Sequence, residues 1–123
     1  MPDKETVAVL GASNNVDRYS YKAFKLLTEY GHRVINVHPS LDEIEGNPVL
    51  PDLSQIHEKV DTLTLYLRPE ISESMAHEII MLSPVRVIMN PGTESDQLEK
   101  KLTEKNIKVI RACTLVLLKT NQF

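Results

Sequence analysis

Residues 6–22 read TVAVLGASNNVDRYSYK: an apolar run ends on one glycine, passes through a short polar turn and enters a segment with helical spacing. Val7, Ala8, Val9 and Leu10 are apolar at every position rather than at alternate ones, which is the pattern of a strand covered on both faces in a parallel sheet. A strand that stops at Gly11 and feeds a helix brings unpaired backbone N–H groups and the positive end of a helix dipole to one place. That place suits a phosphate, and the rest of the chain is expected to supply its walls.

Downstream, Ala23, Phe24, Leu27 and Tyr30 recur at three- and four-residue spacing, so a helix is expected over 20–30, with Gly31 as its left-handed stop. A second strand covers 33–37, RVINV, and closes on His38-Pro39. In the next stretch of about 20 residues Gly46-Asn47-Pro48 and Pro51 forbid a long helix, so a loop is expected, with a short helical turn near 53–57. TLTLYL at 62–67 is the third strand. Pro69 opens a helix over 70–82, with Ile71, Met75, Ala76 and Ile79 on one face and Ser83-Pro84 as its end. The fourth strand, 85–89, runs into Asn90-Pro91-Gly92 and a charged helix over 93–105. That helix is anchored by Leu98 and Leu102, with Thr93 as N-cap and Glu94 and Asp96 in its first turn. A fifth strand covers 107–110, and the tail 113–123, apolar through Leu118, fits either strand or helix.

Strands alternating with helices imply right-handed crossovers. The fold class is therefore α/β, a Rossmann-like doubly wound parallel sheet of about five strands with helices on both faces. Residues 1–123 are expected to form one domain, since 123 residues at 41% hydrophobic suffice for a single core. Ligands of such sheets lie beyond the carboxyl ends of the strands, which directs attention to 11–18, 38–39, 68–69, 90–93 and 111–114.

Composition narrows the function. A formal charge of -3, with Lys and Arg scattered among acids, speaks against nucleic acid. No apolar run reaches the roughly 18 residues of a membrane span, and MPDKETVAVL lacks the layout of a secretion signal, so a cytoplasmic protein with no membrane partner is expected. Cys113 is the only cysteine, which excludes an internal disulfide, and His32, His38, His57 and His77 show no metal-ligand spacing. A buried, inert thiol is the reading for Cys113.

Gly11-Ala12-Ser13-Asn14 carries only the first glycine of a dinucleotide fingerprint, because Ser13 and Val16 hold the later positions. Ser13, Asn14 and Asn15 are small hydrogen-bonding residues, and Arg18 adds a guanidinium able to grip a phosphate bidentately. NAD enzymes of this fold place an acid at the end of the second strand. Here Val37-His38-Pro39-Ser40 is acid-free and Asp42 is the first carboxylate, which argues against NAD, although His38 could meet a 2′-phosphate. No nucleophile triad, Walker lysine or GxSxG elbow occurs, so no catalytic residue is assigned.

The run VLGASNNVDRYSYKAFKLLTEYGHRVINVHP resembles the opening half of the small single-domain CoA-binding proteins, relatives of the CoA-binding domain of the succinyl-CoA synthetase alpha chain. The likeness rests on Gly11-Ala12-Ser13, on Arg18 followed by Ser20-Tyr21, and on Asn36 through Pro39. Leu67-Arg68-Pro69 and Cys113 extend it more loosely through the second half. It implies a Rossmann-like domain that binds coenzyme A, with the diphosphate at Gly11 to Ser13 beside Arg18 and the adenosine across the ends of the second and third strands. The candidate binding residues from these strand ends and this resemblance are Gly11, Ala12, Ser13, Asn14, Arg18, Asn36, His38, Pro39, Arg68, Pro69 and Asn90. The synthetases keep their phosphorylated histidine and ligase machinery in other domains. The implied role is thus a non-catalytic module for CoA or acyl-CoA, acting as sensor, carrier or regulatory partner. An NAD(P)-dependent small oxidoreductase and a nucleotide-responsive interaction domain are the alternatives, and the apolar tail at 115–118 leaves open a homodimer that would bury it.

Overall fold

The computed structural model describes residues 4–123; residues 1–3 of the expected 1–123 unit lie outside the described residues. Strands β1 (Thr6–Leu10), β2 (Arg33–Val37), β3 (Glu43–Ile44), β4 (Asn47–Leu50), β5 (Thr62–Leu65), β6 (Arg86–Met89) and β7 (Lys108–Arg111) form one sheet in the order β3-β4-β2-β1-β5-β6-β7. Neighbours are parallel except for β3 against β4. Helices α1 (Tyr19–Glu29), α2 (Pro69–Ser74), α3 (Ala76–Leu82), α4 (Asp96–Thr103) and α5 (Thr114–Lys119) make the connections and the C-terminal segment.

The uninterrupted apolar run of β1 is explained by its central place. Val7 and Val9 join Ala23, Phe24 and Leu27 of α1 and Leu115 and Leu118 of α5 on one face. Ala8 and Leu10 join Leu63, Leu65, Ile79, Leu98 and Leu102 on the other. Side chains buried this fully stabilise the fold by about 1.5–3 kcal/mol each for Val and Leu, before entropy is subtracted. At the end of α1, Gly31 takes φ +90 and donates to Thr28 O at 2.9 Å, while the His32 N–H reaches Leu27 O at 3.0 Å; this cap turns the chain directly into β2.

The sheet has seven strands, not about five, because part of the expected loop after β2 is a hairpin. Glu45 (φ 50) and Gly46 (φ 81) are consecutive left-handed residues, the requirement of a two-residue hairpin turn, and Ile44 pairs with Asn47 across it. Pro48 lies opposite Glu43 in that outer pair, and Val49 and Leu50 then extend the parallel sheet against Asn36 and Val37 of β2. The expected helical turn near 53–57 is a short 3-10 turn, Leu53–Gln55, capped by Asp52.

Three further expectations are corrected. The helix over 70–82 is two helices, broken at Met75 (φ -102). The cap of α4 is Ser95, whose Oγ accepts the Leu98 N–H at 3.1 Å, and Thr93 instead donates its hydroxyl to the Asn90 carbonyl at 2.8 Å. The tail forms α5, whose Leu115 and Leu118 are buried against this chain's own β1 and α1, which removes the ground for a dimer built on it. No helix among the described residues is long and apolar enough to cross a membrane.

From β1 the chain passes to β2 through α1 on one face, whereas β5 passes to β6 through α2 and α3 on the other. The winding therefore reverses between β1 and β5, and a crevice opens beyond their carboxyl ends.

Candidate anion-binding cleft

The crevice is a cleft of about 390 Å³ lined by Gly11, Ala12 and Ser13 after β1, and by Arg18, Tyr19 and Ser20 at the start of α1. His38 follows from β2, Tyr66, Leu67 and Arg68 from β5, and Pro91, Gly92 and Thr93 from β6.

Gly11 sits at φ +93, and a Cβ there would lie 2.8 Å from the Tyr66 carbonyl oxygen, so glycine is what lets the ends of β1 and β5 approach. The N–H groups of Gly11 and Ala12 both donate to the Val37 carbonyl, at 3.2 and 3.1 Å. This corrects the expectation that the amides just after β1 are unpaired: they tie β1 to β2. The loop beyond holds itself up. Ser13 Oγ accepts the Asn15 N–H at 3.0 Å, and Asn15 Oδ1 accepts the Asp17 N–H at 2.9 Å.

The donors left for an anion are those of α1. Arg18, its N-cap, is extended and provides no side-chain cap, and the first turn contains no acid. The opening N–H groups of that 11-residue helix have no carbonyl one turn back, so its partial positive charge stands uncompensated at the cleft wall.

Side-chain charge is sorted the same way. Arg33 pairs with Glu58 at 2.5 Å, Arg86 with Glu5 at 3.5 Å, and Arg111 with Asp96 and Glu99 at 2.5 and 2.9 Å. Arg18 and Arg68 pair with no carboxylate among the described residues, and both line the cleft, which contains no Asp or Glu. A chain with 17 acids against 14 Lys and Arg has thus kept one concave surface purely cationic.

His38 Nδ1 accepts the N–H groups of Ser40 at 2.9 Å and Leu41 at 3.2 Å, which places the ring proton on Nε2. Burial pushes the Tyr66 phenol up to about 12, against the opposing pull of the neighbouring Thr64 and Thr114 hydroxyls. Because its folded value lies above the ordinary phenol value of 10.0, the stability tied to the neutral phenol is complete below pH 10 and disappears as pH rises toward 12. Across that window the parent protein should lose about 2–3 kcal/mol relative to Tyr66→Phe, read by urea unfolding at stepped pH. Parallel stability curves for the two proteins would show that the phenol is not desolvated.

Of the residues expected from sequence, the structure gathers Gly11, Ala12, Ser13, Arg18, His38 and Arg68 around the cleft. Asn14 and Pro39 are exposed on adjoining loops, and Pro69 is the first residue of α2. Asn36 and Asn90 lie beneath the strand ends, 1% and 3% exposed. Asn90 donates to Thr64 Oγ1 at 2.8 Å and Leu65 O at 2.9 Å and accepts the Thr114 N–H at 2.9 Å, so it joins β5, β6 and α5. Asn36 Oδ1 is buried without a hydrogen-bond partner. Cys113 is half-buried and packs against the apolar cluster under α1 and α5. Among the described residues no cluster of His, Cys, Asp or Glu could hold a metal ion. Pro91, Gly92 and Thr93 lie in the strand-end segment 90–93 expected to face a ligand, and Ser20 and Leu67 in the quoted family-like runs, though none is named from sequence as a binding residue; Tyr19 and Tyr66 are not singled out there, and their signal is position next to the α1 start and the β5 end.

A strand-end cleft of this charge, at the switch point of a doubly wound sheet, has the chemistry to receive an anionic group. The pattern defining the CoA binding domain matches residues 5–119, and the chain belongs to that family. Uncharacterized protein YneT of Bacillus subtilis (strain 168) is 27% identical over 104 residues, covering 85% of this chain and 77% of that one. A crystal structure of an uncharacterized protein superposes with TM-score 0.94 at 38% identity, covering 99% of this chain and 100% of the other. The dinucleotide forming acetyl-coenzyme A synthetase 1 of Ca. Korarchaeum cryptofilum shares the fold, with TM-score 0.73 at 19% identity over 85% of this chain and 25% of the synthetase.

Proposed function

We propose that the chain binds coenzyme A or an acyl-CoA in the strand-end cleft as a non-catalytic module. The observation that carries this reading is the segregation of charge: two arginines without carboxylate partners and an uncapped helix start converge on an acid-free cleft in an acidic protein. Family membership supplies the ligand class. The donor set fits the 5′-diphosphate of CoA, with Arg18, Arg68 and the first turn of α1 as its cationic surroundings, and Tyr66, Leu67 and Pro91 add apolar wall. When bound, the cofactor contributes a thiol able to carry an acyl group as a thioester.

The cleft's own chemistry supports binding without turnover. His38 has Nδ1 occupied by two backbone amides, and Tyr66 stays protonated well above neutral pH. Titration calorimetry of the full chain should show CoA binding, with NAD much weaker because the end of β2 carries no acid for the nicotinamide dinucleotide's ribose. Arg18→Ala and Arg68→Ala should each weaken CoA by about tenfold, and raised salt should shrink that difference. Binding of NAD but not CoA would overturn the proposal, and wild-type affinity in both variants would place the ligand elsewhere.

A further inference from the structure

We propose that the β2 end of the cleft reads the ribose of its ligand through neutral groups alone, so that a ribose 3′-phosphate adds little affinity and dephospho-CoA binds as well as CoA. The inference rests on the CoA reading above and concerns selectivity within that site. In doubly wound sheets the adenosine ribose lies at the end of the second strand, where an acid holds free hydroxyls or a cation holds a phosphate on the sugar. This chain has neither at that position.

His38 is the β2-end side chain lining the cleft, and with Nδ1 engaged by Ser40 and Leu41 it offers one N–H, at Nε2. Asn36 stands two residues earlier on the same face of β2, opposite Val9 and Val49, 1% exposed and with Oδ1 unpartnered. Its amide lies beneath the cleft and is uncharged, so it brings no cation to a phosphate at this end.

The charges around this end complete the case. Asp42 and Glu43 are exposed in the segment after His38 and add negative potential. Glu45 in the hairpin turn is held by Tyr21 and by Lys25 at 2.5 Å, which engages the α1 lysine nearest the hairpin. Lys22 lies over the Tyr19 ring at 5.6 Å, and Arg33, at the opposite end of β2, is paired with Glu58. Arg18 and Arg68 follow β1 and β5, where the diphosphate is placed. A phosphate monoester gripped by even one lysine or arginine gains at least about tenfold in affinity, and no such grip is built at the end of β2.

Calorimetric titration of the full chain with CoA and with dephospho-CoA, at low and at moderate salt, tests this. The expected dissociation constants agree within about threefold at both salts. CoA binding tenfold or more tighter than dephospho-CoA overturns the inference and leaves the CoA reading standing; binding of neither overturns both. His38→Asn, which keeps a side-chain acceptor for the Ser40 N–H but removes the Nε2 donor, should weaken both ligands by the same factor of about 5. A loss confined to CoA would mean that His38 reads the phosphate and would sink the inference. An unchanged melting temperature in Arg18→Ala, with CoA and dephospho-CoA weakened by the same factor, is the remaining expected result; a loss for CoA about tenfold or more greater than that for dephospho-CoA assigns the phosphate to Arg18 and refutes the neutral reading.

Discussion

Gly11→Ala is expected to lower the unfolding free energy by about 3 kcal/mol, and Gly46→Ala by only about 1 kcal/mol, although both glycines are left-handed. Their φ values, +93 and +81, carry a similar conformational penalty for a residue with a Cβ. What differs is the neighbourhood. A Cβ at position 46 meets nothing within 4 Å, whereas at position 11 it meets the Tyr66 carbonyl oxygen at 2.8 Å and the Tyr66 carbonyl carbon at 3.0 Å. Those are backbone atoms, and the Tyr66 N–H is itself bonded to Leu10 O at 2.9 Å, so relief requires opening the β1–β5 ladder. That displacement also moves Tyr66, Leu67 and Arg68, one whole wall of the cleft, and CoA affinity should fall with stability. Urea unfolding of the two variants at one temperature separates the terms; equal losses at both sites would mean the approach of β1 and β5 is not tight.

The elements legible in the sequence are those whose pattern depends on local chemistry alone. The β1 run, the 3.6-residue spacing of α1 and the stop at Gly31 are set by burial on two faces and by one left-handed residue, and each lies where the spacing predicts. The hairpin escaped because β3 has two residues and β4 begins Asn47-Pro48, a composition that reads as loop. Its existence is decided by tertiary pairing of Val49 and Leu50 with β2, which no local window contains. The tail was ambiguous for the same reason: Leu115 and Leu118 take their burial from β1 and α1, about a hundred residues earlier in the chain.

The site divides along a similar line. Arg18, His38 and Arg68 were readable because a strand-end position in a doubly wound sheet faces the ligand crevice. Asn36 and Asn90 share that position in sequence yet are buried, and the difference lies in a register of one or two residues at the end of a strand, finer than the spacing resolves. Tyr66 shows the converse error. TLTLYL reads as one strand through 67, but β5 ends at Leu65, and the next two residues turn into the cleft wall.

Asn90→Asp should be the most costly of the conservative changes, at about 3–5 kcal/mol near neutral pH, because it alters one atom in a site with no spare capacity. The amide nitrogen now donates both to Thr64 Oγ1 and to Leu65 O, while Oδ1 accepts from the Thr114 N–H. A carboxylate keeps the last bond but turns an oxygen toward the Leu65 carbonyl, which can only accept, and leaves a charge in a position 3% exposed. Burial and the facing carbonyl both favour the protonated acid, so the folded pKa of the introduced group should lie above its unfolded value. A group raised on folding contributes its stability below the unfolded pKa and loses it as pH rises through the folded one. The deficit of the variant relative to the parent should therefore shrink as pH falls from neutral through the raised folded pKa toward about 4, the unfolded Asp value, and level off below it. Asn90→Ala, which removes the same bonds without adding charge, should show a deficit that does not change with pH. Urea unfolding of parent and both variants from acid to neutral pH reads the contrast directly. A pH-independent loss in Asn90→Asp would mean that solvent reaches the Thr64, Asn90 and Thr114 network, and that the junction of β5, β6 and α5 is looser than its hydrogen bonds require.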